Sequence, residues 1–168
     1  MVYLSRPYNK SYNKINFHCG NVILDEYIKT QASQDIKKRL AVCFVLLQED
    51  QDSIIGFYTL SNGSLPNSDI PENLRKKYPK SYDYIPITLL GRLAIDERFK
   101  GKGNGSLLLI DALKRCLSVS ESELGSVAVV VDPVDSQAEN FYHHFGFIKL
   151  PDSGKMFLDM NIIKKLVV

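Results

Sequence analysis

Three glycines alternate with polar residues at Gly101, Gly103 and Gly105, between an apolar run and an amphipathic helical pattern. Glycine lets the backbone turn sharply and bring its N–H groups close to a ligand. A helix that begins at such a loop adds the partial positive charge of its dipole. The spacing therefore predicts an anion-binding loop suited to phosphate groups, with Lys100 and Lys102 beside it.

Two common phosphate motifs do not fit this loop. A P-loop requires a Gly-Lys-Ser/Thr ending, whereas Gly105 is followed by Ser106 and Leu107. A dinucleotide fingerprint requires two residues between its second and third glycines, and only Asn104 separates Gly103 from Gly105. The loop thus belongs to neither class of nucleotide site.

A tyrosine in a short predicted helix is the second candidate for chemistry. In residues 135–147, Ser136 and Glu139 form a capping-box pattern, and Gly146 predicts the end of the helix. A phenol with an ordinary pKa of about 10 is protonated at neutral pH and can act as a general acid. By spacing alone, Tyr142 is expected to be a core aromatic residue.

Composition indicates one domain, residues 1–168. A chain of 168 residues with 45% hydrophobic content is long enough to bury one full core. The longest apolar run is too short to span a membrane and no secretory pattern is present, so we expect a cytoplasmic protein. The three cysteines form neither a CxxC pair nor a spaced cluster with histidine, so we expect reduced packing residues and no metal site.

Basic side chains are clustered although the net charge is only +2. Clusters of this kind are most often solvated surface, but they also steer polyanions toward a cleft. One of the three clusters surrounds the glycine loop. Because of the other two, a nucleic-acid ligand remains possible. The clusters are Lys37, Lys38 and Arg39; Arg75, Lys76, Lys77 and Lys80; and Arg98, Lys100 and Lys102.

Helical and strand patterns alternate along the chain, which predicts an α/β protein with a mixed central β-sheet flanked by helices. The four prolines of residues 66–86 predict a long excursion with a short helix at 71–78. The C-terminal residues 156–168 either complete the sheet or pair between subunits. Helices are predicted over 21–38 and 104–117 and within 135–147, and strands over 41–47, 54–60, 87–95 and 126–132.

The loop and the tyrosine helix together resemble the GNAT acetyltransferases. KGKGNG is similar to their acyl-coenzyme A loop, Gln/Arg-x-x-Gly-x-Gly/Ala, with Lys100 where Gln or Arg is usual. A register from Arg98 to Gly103 also fits. Ala138 and Tyr142 match Asn-x-x-Ala-x-x-x-Tyr, with Asp135 at the asparagine position. The resemblance implies an α/β (α+β) GNAT fold and acetyl-CoA as cofactor.

The same resemblance implies roles for site residues. It implies Tyr142 as the general acid toward the coenzyme A thiolate, and an N–H of the strand before the loop as the oxyanion donor. No Glu or His is placed unambiguously as the base that takes a proton from the acceptor ammonium. His143 and His144 are expected to be exposed, and water is expected to carry the proton. The implied cofactor-binding residues are Leu93, Ala94, Ile95, Lys100, Gly101, Lys102, Gly103, Asn104, Gly105 and Ser106.

Longer segments resemble one GNAT subgroup, the toxins of bacterial toxin–antitoxin pairs. These segments are FHCGN, LDEYI, IIGFYTLS, LLGRLAID, VVVDP and NFYHHFGF. The resemblance implies acetylation of the α-amino group of aminoacyl-tRNA, inhibition of translation, a ribbon-helix-helix antitoxin and a homodimer. Arg92 is implied near the acceptor, although a structural ion pair would explain it equally well. Arg75, Lys76 and Lys77 are candidate tRNA contacts.

Two other functions remain open from the sequence. One is an acetyltransferase that acts on a small amine or a protein N-terminus, which would depend only weakly on salt. The other is a non-catalytic acyl-coenzyme A-binding module, which would bind the cofactor without turnover. Which amine accepts the acetyl group cannot be read from these residues.

Overall fold

The computed structural model describes residues 2–168, in which strands and helices alternate. The strands are β1 (Arg6–Pro7), β2 (Val42–Leu47), β3 (Ile54–Pro66), β4 (Tyr84–Ile95), β5 (Ala128–Val131), β6 (Ile148–Lys149) and β7 (Met156–Asp159). The helices are α1 (Val22–Glu26), α2 (Ala32–Lys37), α3 (Glu72–Arg75), α4 (Asn104–Ser122), α5 (Ser136–His144) and α6 (Met160–Val167). Within residues 2–168, no helix has both the length and the apolar character needed to cross a bilayer.

The strands form one mixed sheet in the order β1-β2-β3-β4-β5-β7-β6. The pairs β1/β2, β2/β3, β5/β7 and β6/β7 are antiparallel. The pair β4/β5 is parallel, and its ladder joins Thr88 to Val129 and Leu89 to Val130. Past Leu89 this ladder ends, so Leu90–Ile95 continue beyond it. The predicted mixed sheet flanked by helices is confirmed.

The chain divides into two compact units. The first contains the residues up to Ser61 and Leu90–Arg115, and the second contains Asn62–Leu89 and Cys116–Val168. Phe17, Ile28, Val45, Ile54 and Phe57 are core residues of the first unit. Leu65, Ile70, Ile87, Val130 and Phe157 are core residues of the second. Because β3, β4 and α4 contribute residues to both units, the single domain over residues 1–168 stays a prediction.

Most predicted elements are present with different ends. Strand β3 extends through residues 61–66, and β4 begins at Tyr84 rather than at residue 87. The short helix of the excursion covers Glu72–Arg75 only. The C-terminal segment provides β7 and then turns into α6, so it does complete the sheet. All three cysteines are buried, as expected of packing residues.

A π-turn interrupts the first helical segment. The turn spans Tyr27–Gln31 between α1 and α2, and the N–H of Ala32 donates to the carbonyl oxygen of Tyr27, five residues earlier. The sequence predicts an uninterrupted helix here. Tyr27 and Asp35, on either side of the turn, lie close together: the Tyr27 hydroxyl donates a hydrogen bond to Asp35 Oδ2 at 3.0 Å. Single π-turns inside α-helices frequently occur at functional sites.

A buried aspartate attaches the first residues of the chain to α4. The Asp111 carboxylate accepts hydrogen bonds from the N–H of Leu4 at 2.6 Å and from the hydroxyls of Ser5 and Tyr58. The Arg115 Nε donates to the Tyr58 hydroxyl at 2.9 Å. A buried carboxylate is stable when its oxygens are paired in this way. The network fixes α4, the helix that begins at the glycine loop.

Candidate active site

Two glycines of the loop have backbone conformations that other residues rarely adopt. Gly101 has a φ of 75° and Gly103 a φ of 82°. A Cβ placed on either residue would have no atom within 4 Å, so the space beside the loop is open. The loop therefore has the left-handed geometry and the free space that a bound phosphate group requires.

A row of free N–H groups follows from this geometry. The backbone N–H groups of residues 101–106 make no hydrogen bond to any acceptor in the described part of the chain. The first bond of the helix end runs from the N–H of Leu107 to the Gly103 carbonyl oxygen at 3.0 Å. Gly105 lies within α4, which begins at Asn104. These donors and the N-terminus of a 19-residue helix fit a pyrophosphate group.

The basic side chains around the loop have different roles. Lys100 Nζ donates to the Cys19 carbonyl oxygen at 2.5 Å, so its charge is held by the protein. Arg98 turns back to Asp96, with its Nε 3.0 Å from Oδ1. Lys102 is exposed and, among residues 2–168, has no hydrogen-bond or ion-pair partner. Of the three, Lys102 is the charge available to an anion.

A buried aspartate shapes the turn before the loop. Asp96 is 1% exposed and accepts hydrogen bonds from Arg98 and from the N–H of His18. Burial by itself would raise the pKa of the Asp96 carboxyl, but the hydrogen bonds from Arg98 and His18 outweigh it and hold this pKa below its usual range. Asp96 therefore stays ionised and keeps Arg98 folded over the turn.

The segment around His18 is a part of the site that sequence reasoning missed. The N–H of Glu97 donates to the His18 carbonyl oxygen at 2.9 Å, and Lys100 binds Cys19. Gly20 has a φ of 91°, and a Cβ there would lie 2.5 Å from the Glu97 Oε1. The only sequence signal was FHCGN, which the resemblance included without a role. The segment supports the turn that leads into the glycine loop.

Arg92 on β4 lies against an aromatic ring rather than in an ion pair. Its Cζ is 3.7 Å from the centre of the Tyr27 ring, and its Nη1 is 3.4 Å from Thr59 Oγ1. No carboxylate within residues 2–168 forms a salt bridge with it. The Tyr27 hydroxyl is in turn held by Asp35. The structural ion pair that the sequence left open is absent from the described residues, and the guanidinium edge is available to a ligand.

The other predicted residues of β4 line the strand before the turn. Ala94 and Ile95 are buried and Leu93 is half-buried. Ala94 is part of the core of the first unit. All three lie past the end of the β4/β5 ladder at Leu89, where the N–H groups that face away from β3 are open to a ligand.

Tyr142 is almost buried and has an unused hydroxyl. It is 8% exposed and packs edge-to-face on Phe141 and Phe147, with both ring-centre distances at 5.3 Å. No hydrogen bond to its hydroxyl is found in the part of the chain that the structure describes. Burial alone raises the pKa of Tyr142 far above its usual range. The phenol therefore keeps its proton at any physiological pH.

The helix that carries Tyr142 is capped one residue earlier than the sequence indicates. Asp135 is the N-cap, and its Oδ1 accepts from the N–H of Ala138 at 2.7 Å. Ser136 is therefore the first helical residue, so the capping box predicted from Ser136 and Glu139 is wrong. The Gly146 stop is confirmed by its φ of 97°.

The basic cluster of the excursion contains two structurally engaged side chains. The Arg75 guanidinium donates to the carbonyl oxygens of Ile70, at 2.9 and 3.1 Å, and Ser68. Lys77 Nζ is 3.8 Å from Asp159 Oδ2. Lys76 is exposed and has no partner within residues 2–168. Of the three predicted tRNA contacts, Lys76 alone has a side chain without a hydrogen-bond or ion-pair partner in residues 2–168.

Comparison with known proteins identifies related chains. Residues 18–160 match the family model described as acetyltransferase (GNAT) domain. A Mycobacterium tuberculosis protein named tRNA-acetylating toxin is 36% identical over 132 residues, which cover 79% of this chain and 76% of that protein.

Two solved structures are similar over nearly the whole chain. AtaT complexed with acetyl-methionyl-tRNAfMet has a TM-score of 0.86 and 26% identity and covers 95% of both chains. AtaTR bound with AcCoA has a TM-score of 0.85 and 25% identity and covers 98% of this chain and 97% of that one. The similarity extends through both units.

Proposed function

The chain belongs to the GNAT acetyltransferase family, and from this premise we propose that it acetylates the α-amino group of the amino acid on aminoacyl-tRNA. It is an N-acetyltransferase that uses acetyl-CoA, and its mixed seven-stranded sheet flanked by helices is the GNAT fold. The observation that carries the tRNA proposal is the 36% identity to a tRNA-acetylating toxin. The similarity to AtaT in complex with acetyl-methionyl-tRNA supports it.

The glycine loop is the proposed site of the cofactor pyrophosphate. The free N–H groups of residues 101–106 are the donors, and Lys102 is the nearby free charge. Gly101 and Gly103 keep the donors in place, and Asn104, Gly105 and Ser106 provide the first turn of α4. Lys100 acts indirectly in this proposal, because its Nζ binds the Cys19 carbonyl and fixes the loop entrance.

Bound acetyl-CoA supplies the thioester that the acceptor amine attacks and a thiolate that must be stabilised. We assign an N–H of Leu93, Ala94 or Ile95 to the negative charge that develops on the carbonyl oxygen. We assign Tyr142 as the proton donor to the departing sulfur. The support for Tyr142 is its almost complete burial, its retained proton and its unused hydroxyl. Water takes the proton that the ammonium form of the acceptor must lose.

The acceptor side of the proposal involves cations. Arg92 is the candidate for a phosphate or carbonyl oxygen near the acceptor amine, because its guanidinium edge has no carboxylate partner in residues 2–168. Arg75, Lys76 and Lys77 remain proposed tRNA contacts of the excursion. Lys76 is the strongest of the three because it is exposed and unpaired. Phosphate neutralisation would make tRNA binding depend steeply on salt.

Acetylation of this amine has a direct consequence for translation. An acetylated α-amino group is no longer a nucleophile for peptide-bond formation, so the proposed activity makes the protein a toxin in the cytoplasm. The similarity to proteins named as toxins supports this proposal. We extend the proposal to a ribbon-helix-helix antitoxin as partner and to a homodimer.

The decisive experiment incubates the purified protein with acetyl-CoA and charged tRNA and analyses the released amino acids by mass. We expect a gain of one acetyl group on the α-amino group, and a gain at least about 10²-fold slower with Tyr142→Phe. Free amines and peptides with open N-termini are assayed in parallel. A higher kcat/KM on those substrates than on charged tRNA would replace the tRNA proposal by the small-amine or protein activity.

A further inference from the structure

A cavity of about 1090 Å³ lies in the excursion of the second unit. Its walls come from residues 66–68 and 72–84 and contain three tyrosines. The acetyl transfer proposed above does not use this cavity, although Arg75 and Lys76 of its wall are among the proposed tRNA contacts. Long loops with a defined shape are usually functional, so the composition of the walls is informative about a ligand.

Two of the tyrosines are large exposed aromatic residues. Tyr82 is 55% exposed and Tyr84 is 62% exposed, and both line the cavity. Tyr82 lies in the turn before β4, and Tyr84 is the first residue of that strand, so the two rings are close together along the chain. Exposed aromatic rings beside a groove are the stacking platforms on which proteins bind unpaired bases.

An unsatisfied acceptor lies in the same wall. The Asn67 Nδ2 donates to the Tyr82 carbonyl oxygen at 2.9 Å, whereas its Oδ1 is buried and accepts no hydrogen bond from residues 2–168. A buried acceptor without a donor is costly. Every nucleobase carries at least one N–H that would relieve this cost if it reached the oxygen. The exposed rings of the wall therefore favour a ligand with a flat ring.

The wall of the cavity has a small excess of positive charge, which suits a phosphate backbone. It contains two acidic side chains, Glu72 and Asp83, and three basic ones, Arg75, Lys76 and Lys80. Arg75 is engaged with backbone carbonyls. Lys76 and Lys80 are exposed and have no ion-pair partner in the described part of the chain. With only two free cations, stacking must provide much of the affinity.

We propose that this cavity binds unpaired nucleotides of the acceptor RNA, with bases stacked on Tyr82 and Tyr84 and phosphates at Lys76 and Lys80. The inference rests on the proposed function, because it takes tRNA as the substrate. It adds a site that reads single-stranded RNA by its stacked bases. Since every base has a π face, the site tolerates different sequences.

The test measures binding of a fluorescein-labelled RNA hexanucleotide to the full chain by anisotropy, without acetyl-CoA. Tyr82→Leu with Tyr84→Leu should weaken binding roughly tenfold or more, because each stacked base contributes measurably. The matched control, Tyr82→Phe with Tyr84→Phe, keeps both rings and should bind within about twofold of the parent protein. Both tyrosines are exposed, so the melting temperatures should remain equal.

Two results would contradict the proposal that this cavity binds RNA. One is unchanged RNA affinity in the double leucine variant, and the other is an equal loss in the double phenylalanine variant. An acidic decapeptide is titrated at the same salt concentration, and binding of the peptide in place of RNA would make the cavity a peptide site. Lys76→Ala with Lys80→Ala should reduce the slope of log affinity against log salt by about 0.7 per lost phosphate contact.

The RNA-binding test of the cavity can succeed or fail independently of the proposed acetylation of charged tRNA. The hexanucleotide carries no amino acid, so its binding tests the cavity even if the protein acetylates another amine. If the unmodified protein acetylates charged tRNA, the double leucine variant should raise the KM for that tRNA and leave kcat and the KM for acetyl-CoA unchanged. An unchanged KM would reject the cavity while the proposed activity stands.

Discussion

The guanidinium carbon of Arg92 lies 3.7 Å from the centre of the Tyr27 ring, and the Tyr27 hydroxyl donates to Asp35 at 3.0 Å. Gln31 also donates to this carboxylate, at 3.0 Å. These bonds hold the hydroxyl of the ring that lies against Arg92. Stacking of this kind holds a guanidinium by its face and leaves its N–H edge free for an anion.

Removal of the ring under Arg92 should impair acceptor use. We expect Tyr27→Leu to raise the KM for charged tRNA about fivefold to thirtyfold, because a buried cation–π contact contributes about 1–2 kcal/mol. The KM for acetyl-CoA should not change. Steady-state kinetics with both substrates checks this.

The matched control is Tyr27→Phe, which keeps the ring and loses the bond to Asp35. We expect its KM for charged tRNA to be within about threefold of that of the parent protein, and its unfolding free energy to fall by about 1 kcal/mol. If leucine and phenylalanine variants behave alike, the ring does not position Arg92.

Alanine at Gly103 should weaken cofactor binding. The residue has a φ of 82°, and a left-handed alanine costs about 1–2 kcal/mol, which shifts the loop toward conformations with misdirected N–H groups. We expect acetyl-CoA to bind about tenfold more weakly by calorimetry. Gly125→Ala is the control, because a Cβ there also meets nothing within 4 Å and no positive φ is involved. Equal affinities in the two variants would refute the loop assignment.

Loss of the Tyr142 hydroxyl should reduce turnover. We expect Tyr142→Phe to lower kcat by about 10²–10⁴-fold, the usual contribution of a positioned proton donor. The ring packing on Phe141 and Phe147 is retained, so acetyl-CoA affinity and melting temperature should match those of the parent protein. Single-turnover kinetics measures the chemical step, and a rate within about threefold of normal would exclude Tyr142 as the acid.

Two neighbouring cations of the excursion should behave differently. Arg75→Ala removes the donors to the Ile70 and Ser68 carbonyl oxygens and should lower the unfolding free energy by about 1–3 kcal/mol. Lys76→Ala removes an exposed, unpaired charge and should change stability by less than about 0.5 kcal/mol. Urea unfolding measures both. Equal stabilities would mean that Arg75 is a surface cation like Lys76.

Stability should fall in alkaline solution. Burial raises the pKa of Cys19 to about 11 and that of Cys43 to about 12, and it also raises the pKa of Tyr58 and Tyr142. In the unfolded chain, thiols ionise near pH 8.5 and phenols near pH 10. The unfolded state thus binds fewer protons above about pH 8.5, and stability decreases as pH rises. The urea midpoint should be lower at pH 10.5 than at 7.5, and a constant midpoint would contradict this.

The glycine loop and the aromatic helix were predictable because their information is local. Glycine at alternate positions before an amphipathic run specifies a left-handed turn and a helix start, and both are present at Gly101 and Gly103. The cap of α5 was misassigned because Asp135 and Ser136 are both good N-caps and the Glu139 position favoured the second. Local patterns cannot rank two such neighbours.

The partners of the charged residues could not be predicted, because they come from distant parts of the chain. Lys100 binds a carbonyl 81 residues earlier, at Cys19, and the Arg92 side chain lies on a ring of the first helical segment. The strand through residues 61–66 has a similar cause. The predicted strand ends at residue 60, but burial of Leu65 in the second core keeps residues 61–66 extended.

The π-turn at Tyr27–Gln31 makes the segment sensitive to its length as well as to its composition. It contains one residue more than an α-helical turn. Deletion of Thr30 would close it to regular α-helical geometry and leave the side that Asp35 faces nearly unchanged, because a π-turn absorbs one extra residue. One further inserted residue would instead rotate Asp35 by about 100° around the helix axis relative to Tyr27. Insertions should therefore be tolerated less well between these two residues than at the exposed turn near Asp50.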